Sequence, residues 1–482
     1  MRRTKIVCTL GPSSRDYQTI ERLMTEGMDV ARLNFSHGSH DDHRNVFETV
    51  RRAASETGRA VAVMADLQGP KIRTGRLEDG RPVNLSPGAS FCITARDVPG
   101  NARCVSTTYE SLPQDVTPGS RLLLADGMLE LRVLEVKGPD VHCTVVRGGK
   151  LGEHKGINMP RVAVSAAPLT EKDIEDLEFA LDLGVDFVAL SFVRSGQDIC
   201  HLKELIAEGG HRASVVAKIE RPEAVANIDE IIRVADAVMV ARGDLGVEMD
   251  LDEVPQIQKD IIRKCNRNGL PVITATQMLE SMMASARPTR AEVADIANAI
   301  HDGTDALMLS GETASGRYPI ESVATMAQVA LKTDEIIEQS PRCALVAPEN
   351  ASRHETAFAH AIGLAASQAA EDVNAVCITC FTMSGYSARM ISRHRPRKPI
   401  VAVTVNDEAR RRCALLWGVQ TLPGAETRDL TAMVGQVDDI LSREGLAQHG
   451  DTVVIVAGTP LLVGGRTDFI KIHQVGESET GR

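Results

Sequence analysis

Two hydrophobic periods alternate along most of this chain. Short runs of consecutive apolar residues, bounded by Gly, Asp or Asn, read as buried strands. The stretches between them repeat apolar residues every three or four positions and read as helices packed on those strands. Before residue 69 the pattern predicts strands at 5–9, 29–35 and 60–66 and helices at 16–26 and 40–57. It resumes at Thr170-Glu171-Lys172-Asp173, a capping box that opens a helix. Strands follow at 186–190, 215–219, 237–240, 271–275 and 306–309, with a helical pattern after each. Three strands and five make eight, the count of a (β/α)8 barrel.

The interruption has a different texture. From Gly69 to about Ser165, turn signals such as Ser86-Pro87-Gly88, Pro99-Gly100-Asn101 and Thr117-Pro118-Gly119 separate short alternating runs. That pattern predicts a compact all-β module, hinged at Gly69-Pro70 and near Pro168. Beyond Pro341 and Pro348 a helix at 355–370 and strands at 375–381, 400–405, 453–456 and 469–474 predict a small open sheet. The expected fold class is therefore α/β: a TIM barrel, an inserted all-β lid domain after strand 3, and a C-terminal open-sheet α/β domain. The expected segments are 1–68 and 167–340 for the barrel, 69–166 for the insertion and 341–482 for the last domain.

Composition narrows the function. The chain has 482 residues, room for about three domains at roughly 150 residues each. Its 54 Lys and Arg against 65 Asp and Glu give a net charge of −11, which argues against non-specific nucleic-acid binding but allows a local basic pocket. No apolar run reaches the ~18 residues of a membrane helix, and the basic start leads into no signal-peptide core. With ten scattered cysteines, these features lead to an expectation of a cytoplasmic protein without a membrane partner. Cys377 and Cys380 form one CxxC within an apolar run and read as core residues rather than zinc ligands. Lone Trp417 reads as core packing or as the wall of a pocket.

Chemistry in such a barrel collects where strands end. The second strand is followed by Arg32-Leu33-Asn34-Phe35-Ser36-His37 and the third by Asp66-Leu67-Gln68-Gly69-Pro70-Lys71-Ile72-Arg73. The fifth carries Lys218 and Glu220, the sixth Gly243 and Asp244, the seventh Thr276. Lys218 and Glu220, two apart on a strand, share a face and make either an ion pair or part of a site. Asp244 on the next strand favours the site: two carboxylates without Cys or His suit a hydrated divalent cation. Arg32 and Arg73 are candidate phosphate forks. His37 reads either as a loop histidine or as a nucleotide contact, and Thr276 either as a helix cap or as a proton relay.

Several runs carry a resemblance. Val30-Ala31-Arg32-Leu33-Asn34-Phe35-Ser36-His37-Gly38, Ala217-Lys218-Ile219-Glu220, Val240-Ala241-Arg242-Gly243-Asp244-Leu245-Gly246 and Ala275-Thr276-Gln277-Met278-Leu279-Glu280 resemble the pyruvate kinase family. So does Leu309-Ser310-Gly311-Glu312-Thr313. The resemblance implies phosphoryl transfer from phosphoenolpyruvate to ADP, giving pyruvate and ATP. It implies that Arg32, Lys218, Gly243, Asp244 and Thr276 meet the substrate, and that Asn34, His37, Arg73 and Lys155 meet the nucleotide. It further implies Mg2+ or Mn2+ on Glu220 and Asp244, a phosphorylated effector at Thr382, Ser384, Gly385 and Ser387, and a homotetramer.

One departure stands out. Many members carry Asp-Thr-Lys-Gly-Pro-Glu where this chain reads Asp66-Leu67-Gln68-Gly69-Pro70-Lys71, and those members need K+. Asn34, Ser36 and Asp66 of the monovalent-cation position remain, Leu67 removes a hydroxyl, and the Lys71 ammonium replaces a carboxylate. The expectation is activity without K+. Two rivals stay open: a Mg2+-dependent lyase or aldolase acting on pyruvate-like acids, and a catalytically silent phosphometabolite-binding regulator.

Overall fold

A computed structural model describes residues 1–162, 164–165, 167–339, 354–461 and 466–477. Eight parallel strands close into a barrel: β1 (Lys5–Thr9), β2 (Val30–Asn34), β3 (Ala62–Asp66), β4 (Phe187–Leu190), β5 (Ser214–Ile219), β6 (Ala237–Ala241), β7 (Val272–Ala275) and β8 (Ala306–Leu309). Lys5 lies opposite Ala306, so first and last strands seal the ring. Their near-continuous apolar runs are buried because helices cover the outside and side chains fill the inside. Thr170 starts the helix Glu171–Leu183 as the capping box demands: its hydroxyl accepts from the Asp173 amide, and Asp173 accepts from the Thr170 amide at 2.9 Å.

The lower rim repeats one device four times. Asp29, Asp186, Asp236 and Asp305 precede the even-numbered strands. Each accepts an amide from the start of the odd strand before it, the second residue in three cases and the first in one: Ile6, Val63, Val215 and Val272, all at 2.8 to 2.9 Å. A carboxylate thereby satisfies a backbone donor that the barrel edge would leave unpaired. Arg2, Arg51, Lys203 and Arg395 neutralise the four acids in turn.

Between β3 and β4 the chain builds two further sheets. One pairs Val83–Leu85 with Gly149–Leu151. The other has six strands in the order Ile157–Asn158, Arg121–Leu124, Leu129–Lys137, Asp140–Arg147, Ser90–Thr94 and Cys104–Ser106. Their core is separate from the barrel's and includes Phe91, Ile93, Leu122, Leu131 and Val141. The chain leaves β3 through Gly69 at φ +69°, where a Cβ would sit 2.8 Å from the Phe192 ring.

The C-terminal sheet has five strands: β9 (Ile378–Phe381), β10 (Ile400–Thr404), β11 (Val419–Pro423), β12 (Thr452–Ala457) and β13 (Phe469–Gln474). Their order is β11-β10-β9-β12-β13, parallel but for β13. The sequence pattern misses β11, whose Gln420 and Thr421 break the apolar run between Gly418 and Gly424. The expected boundary at 340/341 and the close of the insertion at Ala166 lie outside the described residues. This sheet unit docks under the barrel: Arg411 reaches Asp186, Lys5 reaches the Val419 carbonyl, and Ala414 and Leu415 join the apolar cluster inside the barrel. Cys377 and Cys380 are buried core residues. Trp417 is buried too, beneath the guanidiniums of Arg3 and Arg395. No helix among the described residues is long and apolar enough to cross a membrane.

Candidate active site

At the upper rim, side chains from five neighbouring strands form one buried chain of contacts. Arg32 ends in a fork that donates from Nε to Asp66 Oδ2 at 2.6 Å and from a terminal nitrogen to Thr9 Oγ1 at 2.8 Å. Asp66 Oδ1 takes Lys218 Nζ at 3.1 Å. The same ammonium meets Ser191 Oγ at 2.6 Å and Glu220 Oε1 at 2.9 Å. Glu220 Oε2 accepts the Phe192 amide at 2.8 Å. Asp66 and Glu220 are each 1 % exposed, so burial is severe and partners decide the charge. Burial alone would raise the Asp66 carboxyl, yet Arg32 and Lys218 together hold it below the usual range. Lys218 loses solvation as well, but Asp66 and Glu220 outweigh that loss and raise its pKa. Glu220 is pushed up, first by burial and then by the charge of Asp244, against the pull of Lys218.

Sequence reasoning put Asp66 only at a monovalent-cation position; here it is the hub that orients two cations. It missed Thr9, Ser191 and the Phe192 amide. Ser191 is the first residue after β4, so the strand-end rule that points to Arg32 and Lys218 points to it as well.

The β6 and β7 ends complete this rim. Gly243 and Asp244 fall in the first turn of the helix Arg242–Glu248. The Gly243 amide donates to Thr276 Oγ1 at 2.7 Å, and that hydroxyl donates to the Ala275 carbonyl at 2.6 Å. Thr276 and Gln277 hold φ of +70° and +54°, and Phe192 holds +55°, so three non-glycine residues at this rim keep left-handed backbone, which costs strain. The Asp244 carboxylate has no hydrogen-bond or ion-pair partner among the described residues, while its charge acts on both Glu220 and Lys218. The described residues hold no group of three or more His, Cys, Asp or Glu fit for a metal. Two carboxylates, one unpartnered, suit instead a cation that keeps waters and takes further oxygens from a substrate.

The outer margin is basic. Asn34 Oδ1 accepts the Ser36 amide at 3.2 Å, and His37 follows, exposed. Partial burial and the positive charges of Lys71, Arg73 and Arg32 hold the His37 imidazole below its ordinary value, so these four groups share one field. Lys71 is exposed, and its ammonium has no ion-pair partner among the described residues. Leu67 packs its side chain into the layer around the barrel, while its carbonyl accepts from Ser191 Oγ at 2.7 Å. Arg73 lies on the six-stranded unit: it bridges to Gly156 and donates to the His154 carbonyl at 3.0 Å. Lys155, exposed, is fixed by its backbone to Thr74 at 2.8 and 2.9 Å. A cleft lies between this unit and the barrel, lined by Lys71, Asn158, Arg221, Asp244 and Glu248.

At the far end of the molecule, Thr382, Ser384 and Ser387 line a second cleft with Thr404, Thr427 and Arg466. The Gly385 amide, at φ +87°, donates to Thr382 Oγ1 at 2.9 Å, and Ser387 Oγ meets Thr467 Oγ1 at 2.7 Å. This cleft opens at the C-terminal ends of β9, β10 and β12, and strand order reverses between β9 and β12, the place such sheets bind ligands.

Residues 1–323 match the family model for the pyruvate kinase barrel domain, and residues 360–473 match that for the pyruvate kinase alpha/beta domain. A pyruvate kinase of Geobacillus stearothermophilus is 45% identical over 479 residues, 99% of this chain and 81% of that protein. One from Staphylococcus aureus is 43% identical over 483 residues, with the same shares. A crystal structure of a pyruvate kinase from Cryptosporidium parvum superposes with a TM-score of 0.90 at 37% identity, covering 98% of this chain and 96% of the other.

Proposed function

The chain belongs to the pyruvate kinase family, and from that membership we propose how its residues divide the work of moving a phosphoryl group from phosphoenolpyruvate to ADP. The observation that carries the reading is the Lys218 ammonium, held buried between Asp66 and Glu220 beside the unpartnered Asp244.

Phosphoryl transfer asks a protein for placement and charge neutralisation rather than covalent help. Arg32 spends Nε and one terminal nitrogen on Asp66 and Thr9, which aims its other terminal nitrogen at the substrate phosphate. Lys218 stays protonated through the working pH range and neutralises charge on the phosphoryl oxygens and then on the enolate oxygen. Glu220 and Asp244 would hold Mg2+, or Mn2+ in its place, which supplies positive charge to the substrate's oxygens. The backbone at Gly243 and Asp244 receives the substrate carboxylate. Thr276 relays a proton toward the enolate carbon; its hydroxyl is already pre-set by the Gly243 amide and the Ala275 carbonyl. Asn34, His37, Arg73 and Lys155 lie along the nucleotide phosphates, and the unit bearing Arg73 and Lys155 acts as a lid that excludes water. Lys71 takes the place of K+ among Asn34, Ser36, Asp66 and Leu67.

The cleft at Thr382, Ser384, Gly385 and Ser387 takes a phosphorylated effector. A homotetramer, a cytoplasmic setting and the domain limits 1–68, 69–166, 167–340 and 341–482 complete the proposal. The test is pyruvate formation from phosphoenolpyruvate with and without ADP and Mg2+. Release that needs no ADP would point to a lyase, and none at all to a silent binder. Lys218→Met is expected to lower kcat at least ~1,000-fold with an unchanged circular dichroism spectrum. Retained turnover overturns the assignment of Lys218.

A further inference from the structure

Two cysteines on the six-stranded unit face each other across neighbouring strands. Cys92 of Ser90–Thr94 is the register partner of Cys104 on Cys104–Ser106, the edge strand. Register partners share a sheet face, and neighbouring strands lie ~4.8 Å apart, within the Cα separation of a disulfide. Both residues are half-exposed, whereas Cys8, Cys143, Cys265, Cys377, Cys380 and Cys413 are buried. The next row on this face holds Thr94 opposite both Ser106 and Asp140, and Asp140 is paired with Arg96. We propose that Cys92 and Cys104 form a modification site, a dithiol that a hydroperoxide converts reversibly to a disulfide.

The chemistry balances with hydrogen peroxide as oxidant. The Cys104 thiolate attacks one peroxide oxygen; an S–O bond forms, the O–O bond breaks, and the leaving hydroxide takes a proton to become water. The Cys92 sulfur then attacks the sulfenic sulfur. An S–S bond forms, the S–O bond breaks, and a second water leaves. The two sulfurs give up two electrons, which the peroxide receives. Cys104 suits the first role: the Cys92 thiol stabilises its thiolate and brings it down to about 7, while Cys92 itself is pushed up.

The site sits one strand from the proposed nucleotide arm. The Gly75 amide donates to the Ser106 carbonyl at 2.8 Å, Thr74 bridges Thr107, and the Arg73 amide donates to Thr108 Oγ1 at 2.9 Å. A Cβ on Gly75 would lie 2.0 Å from Ser106 Oγ, so the two segments touch without slack. A bridge at Cys104 therefore restrains the segment that seats Arg73, and this coupling rests on the nucleotide role of Arg73.

The test treats the full chain with hydrogen peroxide, blocks free thiols, and maps peptides without reduction. The expected result is a Cys92–Cys104 linked peptide that dithiothreitol removes and that is missing from Cys92→Ser and Cys104→Ser. A sulfinate at Cys104, or free thiols at both positions while Cys200 is oxidised, overturns the site. For the coupling, the expected result is a two-fold or larger change in the KM for ADP, reversed by dithiothreitol and missing from Cys92→Ser. A bridge that leaves that KM unchanged overturns the coupling. Arg73→Ala is measured beside it: an unaltered KM for ADP there removes the role of Arg73 and leaves the mapped bridge standing.

Discussion

Single residues at the upper rim owe their states to their neighbours. Asp66 is the clearest: its carboxyl lies below the ordinary range because two cations outweigh its burial. A carboxyl lowered on folding adds stability above its unfolded value near ~4, and loses it as pH falls through the folded value. Asp66→Asn is therefore expected to be less stable than the parent at pH 7, with a gap that narrows in acid; thermal unfolding at pH 7 and pH 3.5 measures it. A gap that widens in acid refutes the sign. Lys71 carries a prediction about ions. If its ammonium takes the proposed place of K+, initial rates in tetramethylammonium buffer are expected to change less than two-fold when K+ is added, and Lys71→Glu to restore a K+ requirement. A steep rise for the parent rejects the role. Of these residues the sequence showed Arg32, Lys218, Glu220, Asp244 and Thr276 as oddly charged or polar strand ends. It did not show that Asp66 joins two of them, because that contact spans 34 and 152 positions along the chain.

Among elements, the legible ones were those whose signal is local. The barrel strands and the capped helix at Thr170 appear within a residue or two of the expected limits, since apolar runs and capping boxes act over a few positions. β11 escaped because it is half polar and is held by pairing with β10, a tertiary fact. The four rim aspartates were visible as residues, but not as a repeated device, because each caps the strand before its own. Asp186 is the most loaded: it holds the Val63 amide, Arg51 and Arg411 at 2.7 to 2.8 Å. Asp186→Ala leaves two guanidiniums and an amide without their partner, at a cost of about 3–5 kcal/mol. A fall in thermal midpoint of several degrees is expected, and a midpoint within one degree of the parent contradicts this account.

Across the whole molecule the two clefts lie at opposite ends. The rim proposed as catalytic tops the barrel, while the sheet with the proposed effector cleft seals its base through Arg411, Arg395 and Leu415. That base includes a pH-sensitive contact. The His394 ring lies tilted against that of His360 at 4.9 Å, and burial, aided by the positive charges of His360 and Arg393, brings its pKa down to about 4. The unfolded chain takes up this proton near ~6.5, so stability is present above that pH and drains away as pH falls toward 4, by on the order of 3 kcal/mol. His394→Gln is expected to lose less stability than the parent between pH 7 and pH 4.5 in denaturant titrations; an equal loss refutes it. The sequence by itself determined the eight-strand count, the interruption, the charge balance and the strand-end residue types, because each is written within a few neighbouring positions. Only the tertiary structure decided which of those residues touch, that a Leu from the last unit enters the barrel, and that Cys92 faces Cys104. Such contacts join points far apart along the chain, and only closure of the ring and pairing of the sheets brings them together.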